Sequence, residues 1–400
     1  MKKLLILGGG YGGLPLAQNL ADLQRNHPQW EITLIDQRDY HLLQVRVHEV
    51  AANSISVDRV KIPISELLEA RHVKFVQTLI TNIDTVGKKV TTSKGTFDFD
   101  RLVLALGSET SFKGIPGMHE NAIPMKRLED AITFRTLVIK AFREAAELVK
   151  TEKFEKNDPR LTFVIIGAGL TGTELAAEMV DFCEDLLLRY PALRPYYRIV
   201  LIHRGDHLLT QLPRINGDYA KNELRRKGVA ILTNSPVTKV DPGNVTLQNG
   251  KHVKGVVICW SGGIEGPAIL KESGFDTTND LRIRTNPYLC SEQFPYIYAI
   301  GDLAFIKNPS TGKPIPQLGQ FAERQGHYLA RCFKAEMDAV SFEPYEPISL
   351  GISVSLGRRE ALTISGPMRI TGLPGRLAKD MSYSKHEFEI RVKPPVLGIR

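Results

Sequence analysis

Two glycine-rich runs carry the chemistry that can be read first. Gly8-Gly9-Gly10-Tyr11-Gly12-Gly13 fits the G-x-G-x-x-G pattern at Gly8, Gly10 and Gly13. In such a loop the first glycine makes a tight turn, the second lets backbone approach a pyrophosphate, and the third lets a helix pack closely on a strand. The helix start adds unpaired N–H groups and a partial positive charge for the phosphates. Asp36, ending the next apolar run, is placed to accept hydrogen bonds from ribose hydroxyls. The pattern recurs about 160 residues later as Gly167-Ala168-Gly169-Leu170-Thr171-Gly172, where the next apolar run ends in His203-Arg204 and carries no acid. A carboxylate there repels a 2′-phosphate, whereas an arginine can grip one. Two cofactors, or one cofactor and a dinucleotide substrate, are expected. A duplication with one inactive site, and an Arg204 that merely faces solvent, stay open.

The elements that must position these loops are legible around them. Lys2 to Leu7 reads as a buried strand, a helical pattern runs through Leu14, Ala17, Leu20 and Leu23, and Glu31 to Ile35 is the next strand. The second unit repeats this order with Leu161 to Ile166, a long helix from Thr173 to about Tyr190, and Arg198 to Ile202. Between them, Leu102 to Ser108 is a buried strand ending in a small-residue turn that contains Ala105 and Gly107. Val256 to Trp260 closes on Ser261-Gly262-Gly263, and Ile297 to Ile300 is a strand capped by Gly301-Asp302. Strands alternating with helices predict an α/β chain with two Rossmann-like, mostly parallel sheets.

Composition narrows the function classes. The chain has 400 residues, 42% hydrophobic and 24% charged, enough for two or three globular domains and incompatible with general disorder. Its four cysteines, Cys183, Cys259, Cys290 and Cys332, form no C-x-x-C pair, so a disulfide scaffold, a zinc ribbon and a thioredoxin-like motif are not expected, and no metal site is assigned. The thiols suit a reducing cytoplasm. Glycines interrupt the start too early for a signal-peptide core, and no run approaches the ~18 apolar residues of a membrane span. The 52 basic and 44 acidic residues leave a net charge of +8. Half of that excess lies in Arg369 to Arg400. This basic tail has no Lys/Arg run longer than one and few interleaved aromatics, so no nucleic-acid partner is expected; a solvated end and contact with an anionic membrane surface remain.

Taken in order, the two glycine units, Leu102 to Ser108 and Ile297 to Asp302 resemble the FAD-dependent pyridine-nucleotide oxidoreductases with two dinucleotide folds. Within that family the chain is similar to the type II NAD(P)H:quinone oxidoreductases, from about residue 2 to 365. Asp39-Tyr40-His41 and His48-Glu49 resemble a segment of some bacterial members. Gly172-Thr173-Glu174-Leu175-Ala176-Ala177-Glu178 resembles the second glycine helix, whose glutamate, here Glu174, lies beside nicotinamide and flavin. A helix-start carboxylate without that role is the plainer reading of Glu174, and Glu178 is left to it. Gly319-Gln320-Phe321-Ala322-Glu323-Arg324-Gln325-Gly326 is similar to the quinone-side motif A-Q-x-A-x-Q-Q-G, with Gly319 and Arg324 as departures.

The resemblance implies a cofactor set of Gly8, Gly10, Tyr11, Gly12, Gly13, Asp36, Ala105, Gly107, Gly301 and Asp302 for FAD. For NADH or NADPH it implies Gly167, Gly169, Leu170, Thr171, Gly172, His203, Arg204 and Gly263. Glu174 and Gln320 become the catalytic candidates, the first at the nicotinamide and the second at a quinone carbonyl. Hydride passes from NAD(P)H to flavin and two electrons then pass to a quinone, without proton pumping. An FAD domain of residues 1–115 and 285–335 is interrupted by an NAD(P)H domain, 116–284, and followed by an extension, 336–400, offering a membrane-surface or dimer contact. The family's aromatic-rich terminal helices are not matched: no tryptophan follows Trp260, and Pro394-Pro395 would break a helix. Interfacial docking on the cytoplasmic face would therefore be weak or built from other residues. Two rivals stay open: a protein acceptor such as a ferredoxin, which the basic surplus would suit, and a thiol- or sulfide-linked reductase, for which Cys332 is the cysteine to watch.

Overall fold

The protein is described from a computed structural model covering residues 1–391; Lys393, Arg400 and the proline pair of the basic tail lie outside the described residues. Lys2–Leu7 is buried from Leu4 onward and occupies the centre of a five-stranded sheet. Its neighbours are Trp30–Asp36 and then Val73–Gln77 on one side, and Arg101–Leu104 and then Ile297–Ala299 on the other. All four pairings are parallel, so the strands deliver their carboxyl ends to one edge. Strands covered on both faces must be apolar throughout, which is why LLIL and LVL read as unbroken runs rather than alternations.

A second five-stranded sheet repeats this arrangement. Thr162–Ile166 pairs in parallel with Arg198–Ile202 and Val257–Trp260, with Ala230–Leu232 and Ile123–Pro124 outermost. The last strand of the first sheet, Ile297–Ala299, follows the whole second sheet in the chain. The binding edge of the first fold is therefore assembled from segments nearly 300 residues apart.

Two further elements shape that edge. Helix Gly319–Asp338 crosses the first glycine helix, Gly13–Leu23, at Gly326, where any Cβ would run into the Gly12 carbonyl oxygen. This helix runs past residue 335, the boundary drawn from sequence. The extension then forms an antiparallel meander of Ile352–Ser355, Ala361–Ser365 and Met368–Ile370, and a 20-residue helix, Gly372–Arg391. Sequence reading expected no such helix. Its inward face bears Arg376, Lys379, Tyr383 and His386 while Leu373, Leu377, Met381 and Phe388 point outward, so its apolar period does not mark a core-facing side.

Candidate functional site: a two-loop flavin cavity

The first glycine loop has the geometry that its spacing implies. Gly8 adopts φ +106° and a Cβ there would strike the Ala105 carbonyl; a Cβ on Gly13 would strike Gly8's own carbonyl oxygen. Gly10 differs, because nothing lies within 4 Å of where its Cβ would be. That gap opens on a cavity of about 1160 Å³, above the ~300–1,000 Å³ of an ordinary small-molecule site and suited to a dinucleotide. Asp36 Oδ2 accepts from the Gly9 N–H at 2.7 Å and Oδ1 from the Arg38 N–H at 2.8 Å. Ala105 and Gly107 line the same cavity, as do Tyr11, Gly12, Gly301 and Asp302. Tyr11 is half-buried, with its hydroxyl oxygen closed off from solvent at the cavity wall. These residues fit FAD: a glycine cradle for pyrophosphate, a carboxylate for ribose, and Asp302 on the same cavity wall.

Asp302 is held in a small polar group. Ser108 Oγ donates to its Oδ2 at 2.7 Å, and Lys126 Nζ lies 2.7 Å from Ser108 Oγ and 3.5 Å from Asp302. Lys126 is fixed from behind, since Asp130, three residues into the helix cap, accepts from the Lys126 and Arg127 N–H groups at 3.0 and 2.6 Å. Sequence reading missed Lys126, which lies outside any recognisable motif.

The second loop repeats the cradle. Gly167 takes φ +108° against the Ser261–Gly262 backbone, Gly172 packs on the Gly167 carbonyl, and Gly169 has open space at its Cβ. Leu170, Thr171, Glu174 and Gly263 line the shared cavity. Gly167, Gly169, Gly172, His203 and Arg204 lie beyond it, at the carboxyl edge of the second sheet.

The sequence pattern of the pyridine nucleotide-disulphide oxidoreductase family matches residues 2–326. The chain belongs to this family. Among curated relatives, the type II NADH:quinone oxidoreductase of Staphylococcus saprophyticus is 28% identical over 394 residues, covering 97% of this chain and 96% of its own. The protein of the same description from Staphylococcus aureus is 29% identical over 400 residues, with the same coverage. Among solved structures, NDH2 from Plasmodium falciparum in complex with NADH superposes with a TM-score of 0.82 at 17% identity, over 98% of this chain and 100% of that one.

Within this family fold Glu174 sits in a buried charge cluster. Lys379 Nζ donates to Glu174 Oε1, the Ser355 N–H donates to the same oxygen at 2.9 Å, and His48 Nδ1 is 3.8 Å from Oε2. Burial opposes ionisation of Glu174, but Lys379 and then His48 outweigh it, holding the carboxyl below its usual range. Burial likewise works against the Lys379 ammonium, and Glu174 overturns that and holds it charged. Beside this pair, Glu49 is met by Arg46 at 2.7 Å and Arg376 at 3.1 Å, and Arg376 also reaches Glu178 at 3.2 Å. His48, Glu49 and Glu178 lie close enough to suggest a metal cluster, yet two guanidiniums already satisfy the carboxylates. Glu178 is thus committed to Arg376 and to the Ser355 and Ser54 hydroxyls.

Gln320 lines the cavity, but its amide is committed. Its Nε2 donates to Gly351 O at 2.8 Å and its Oε1 accepts from the Leu350 N–H at 2.8 Å. A free amide awaiting a quinone carbonyl is not what the chain presents; Gln320 ties the C-terminal meander to the cavity wall. The rest of the motif, together with Gln317 just before it, also has architectural work. Gln325 Oε1 accepts from the Gly301 N–H at 2.7 Å, Gln317 Nε2 donates to Asp302 O at 2.7 Å, and Gly319 makes room for the Tyr11 ring.

Lys379, Tyr383 and His386 complete the wall and were not found from sequence. His386 stacks on Tyr11 with ring centroids 4.7 Å apart and lies 3.3 Å from Glu323. All four cysteines are buried and none lines the cavity. Burial raises the thiols of Cys183, Cys259 and Cys290 and pushes Cys332 up to about 11, so no thiolate stands near the flavin position. The thiol-linked reading thus finds no cysteine at the cavity wall.

Proposed function

We propose that this chain is a flavin-dependent NADH:quinone oxidoreductase of the type II class. The observation that carries the reading is the continuity of one cavity. It runs from the first glycine loop and Asp302, past Leu170, Thr171 and Glu174 on the second fold, to Gln320, Lys379 and Tyr383 on the C-terminal elements. FAD bound there supplies the chemistry of accepting a hydride and releasing two electrons. The chain's own residues position the partners. The second glycine loop aims the nicotinamide at Glu174, while Lys379 and Tyr383 line the side on which a quinone enters. Glu174 and Lys379 supply a charged, hydrogen-bonded pair at that wall. In steady state, short-chain quinones are expected to speed NADH oxidation strongly. Turnover only with a ferredoxin would move the reading to a protein acceptor.

The C-terminal helix supports a peripheral membrane contact. Leu373, Leu377, Met381 and Phe388 are 57–72% exposed and fall within about 80° of arc on one face, opposite the face bearing Lys379 and His386. Met368 and Ile370 on the preceding strand are exposed and apolar as well, and Arg369, Lys385 and Arg391 are exposed cations, the last two paired with Glu389 and with Glu66 and Glu387. A buried face that is polar and an outer face that is apolar suit a lipid interface, which also brings a lipid-soluble quinone to the cavity wall. Among the described residues no helix is long and apolar enough to cross a membrane. Co-sedimentation with anionic vesicles tests the contact: binding lost in Leu377→Glu/Phe388→Glu supports it, whereas dimerisation through this face without vesicle binding would replace it.

A further inference from the structure

The two dinucleotide folds correspond atom for atom where each sheet hands over to its glycine loop. In the first, the Gly8 N–H donates to Ile35 O at 2.7 Å and Asp36 Oδ2 accepts from the Gly9 N–H at 2.7 Å. In the second, the Gly167 N–H donates to Ile202 O at 2.8 Å and His203 Nδ1 accepts from the Ala168 N–H at 3.2 Å. His203 therefore stands where Asp36 stands and holds the same loop amide. An imidazole that accepts through Nδ1 is neutral and carries its proton on Nε2. A carboxylate at this place has three effects: it caps the loop, claims the ribose 2′-hydroxyl and repels a 2′-phosphate. His203 keeps the cap and brings no negative charge.

The neighbouring charges point the same way. Arg204 is exposed and makes no ion pair among the described residues. The nearby acid, Asp206, is already engaged by His207 at 2.7 Å and Arg214 at 2.6 Å. An exposed guanidinium thus directly follows, in the chain, the imidazole that holds the second loop, and the carboxylate two residues further on is already engaged.

We propose that the second fold accepts a 2′-phosphorylated nicotinamide dinucleotide, NADPH, beside NADH, with Arg204 gripping the 2′-phosphate and His203 holding the loop without charge. This rests on the second fold being the donor site of the oxidoreductase proposed above.

The test is equilibrium binding of NADP⁺ and NAD⁺ to the oxidised holoenzyme by calorimetry, with no quinone and no turnover. The wild type is expected to bind NADP⁺ at least as tightly as NAD⁺. Arg204→Ala should lower the NADP⁺-to-NAD⁺ affinity ratio by about tenfold, the scale of one charge-assisted contact, and the loss should shrink as salt rises. His203→Glu should turn the ratio toward NAD⁺, while His203→Asn, which retains an acceptor for Ala168, keeps it. NAD⁺ binding more than tenfold tighter in the wild type, or a ratio unmoved by Arg204→Ala, would overturn the inference and leave quinone reduction intact. Tight NADP⁺ binding by an enzyme inert to quinones would uphold the inference and remove the acceptor. Binding of neither dinucleotide would overturn both.

Discussion

Lys379 on the C-terminal helix and Glu174 on the second glycine helix form a buried ion pair across 205 residues of sequence. Three buried carboxylates, Glu49, Glu174 and Glu178, face Arg46, Arg376 and Lys379, and two of those cations come from the last helix. The C-terminal extension is thus not an appendage. It neutralises charge that the two dinucleotide folds bury between them.

Lys379→Met would leave Glu174 buried with His48 as its nearest counter-group. The expected loss is about 3–5 kcal/mol, the scale of breaking one side of a buried pair. Adding Glu174→Gln should recover much of it, because no unpaired charge then remains. Urea unfolding of the four-member cycle checks this, and additive losses would contradict the pairing.

The two glycines of the first loop should fail in different ways. Gly13→Ala forces a methyl group onto the Gly8 carbonyl, so the apoprotein itself should melt earlier. Gly10→Ala has open space in the protein, and its methyl occupies volume assigned to the pyrophosphate. Its apoprotein should melt like wild type while flavin affinity falls at least tenfold. Flavin absorbance after dialysis, with apoprotein melting curves, separates the two.

Burial, opposed by the Gly9 carbonyl it contacts at 3.0 Å, holds the His41 imidazole at about 4. His386 and Arg38 disfavour its charge and Glu323 favours it. A folded-state value below the unfolded ~6.5 means stability is present above pH 6.5 and is lost as pH falls toward 4. The His41 share of that loss is of order 3 kcal/mol. His41→Gln, which retains a donor for Gly9, should flatten the stability profile between those two values. Parallel profiles for the two proteins would contradict it.

The glycine loops, Asp36 and the parallel strands were legible because each is local. One strand, one turn and one helix suffice to state the geometry, and a Cβ-free position leaves its mark in a single residue. Gln320 misled for the opposite reason. Its motif was readable, but its partners, Leu350 and Gly351, lie thirty residues on in a segment with no pattern of its own. Lys379 and Lys126 were invisible because a lysine's role depends on which distant carboxylate it meets. The C-terminal helix hid behind an apolar stripe that faces away from the protein.

Gln320→Ala should therefore act by releasing residues 350–351. The expected result is faster proteolysis between Val340 and Gly351 and a raised KM for quinone, with flavin reduction by NADH affected far less. Loss of kcat at constant KM would instead restore a direct contact between Gln320 and the reacting quinone.

Anaerobic stopped-flow absorbance tests the central claim most directly. The purified holoenzyme is mixed with NADH, and the reduced protein is then mixed with a short-chain quinone. The expected result is rapid bleaching of bound flavin and equally rapid return of its colour with quinone. Protein purified without flavin, or flavin that NADH bleaches and quinone leaves reduced, would contradict the account.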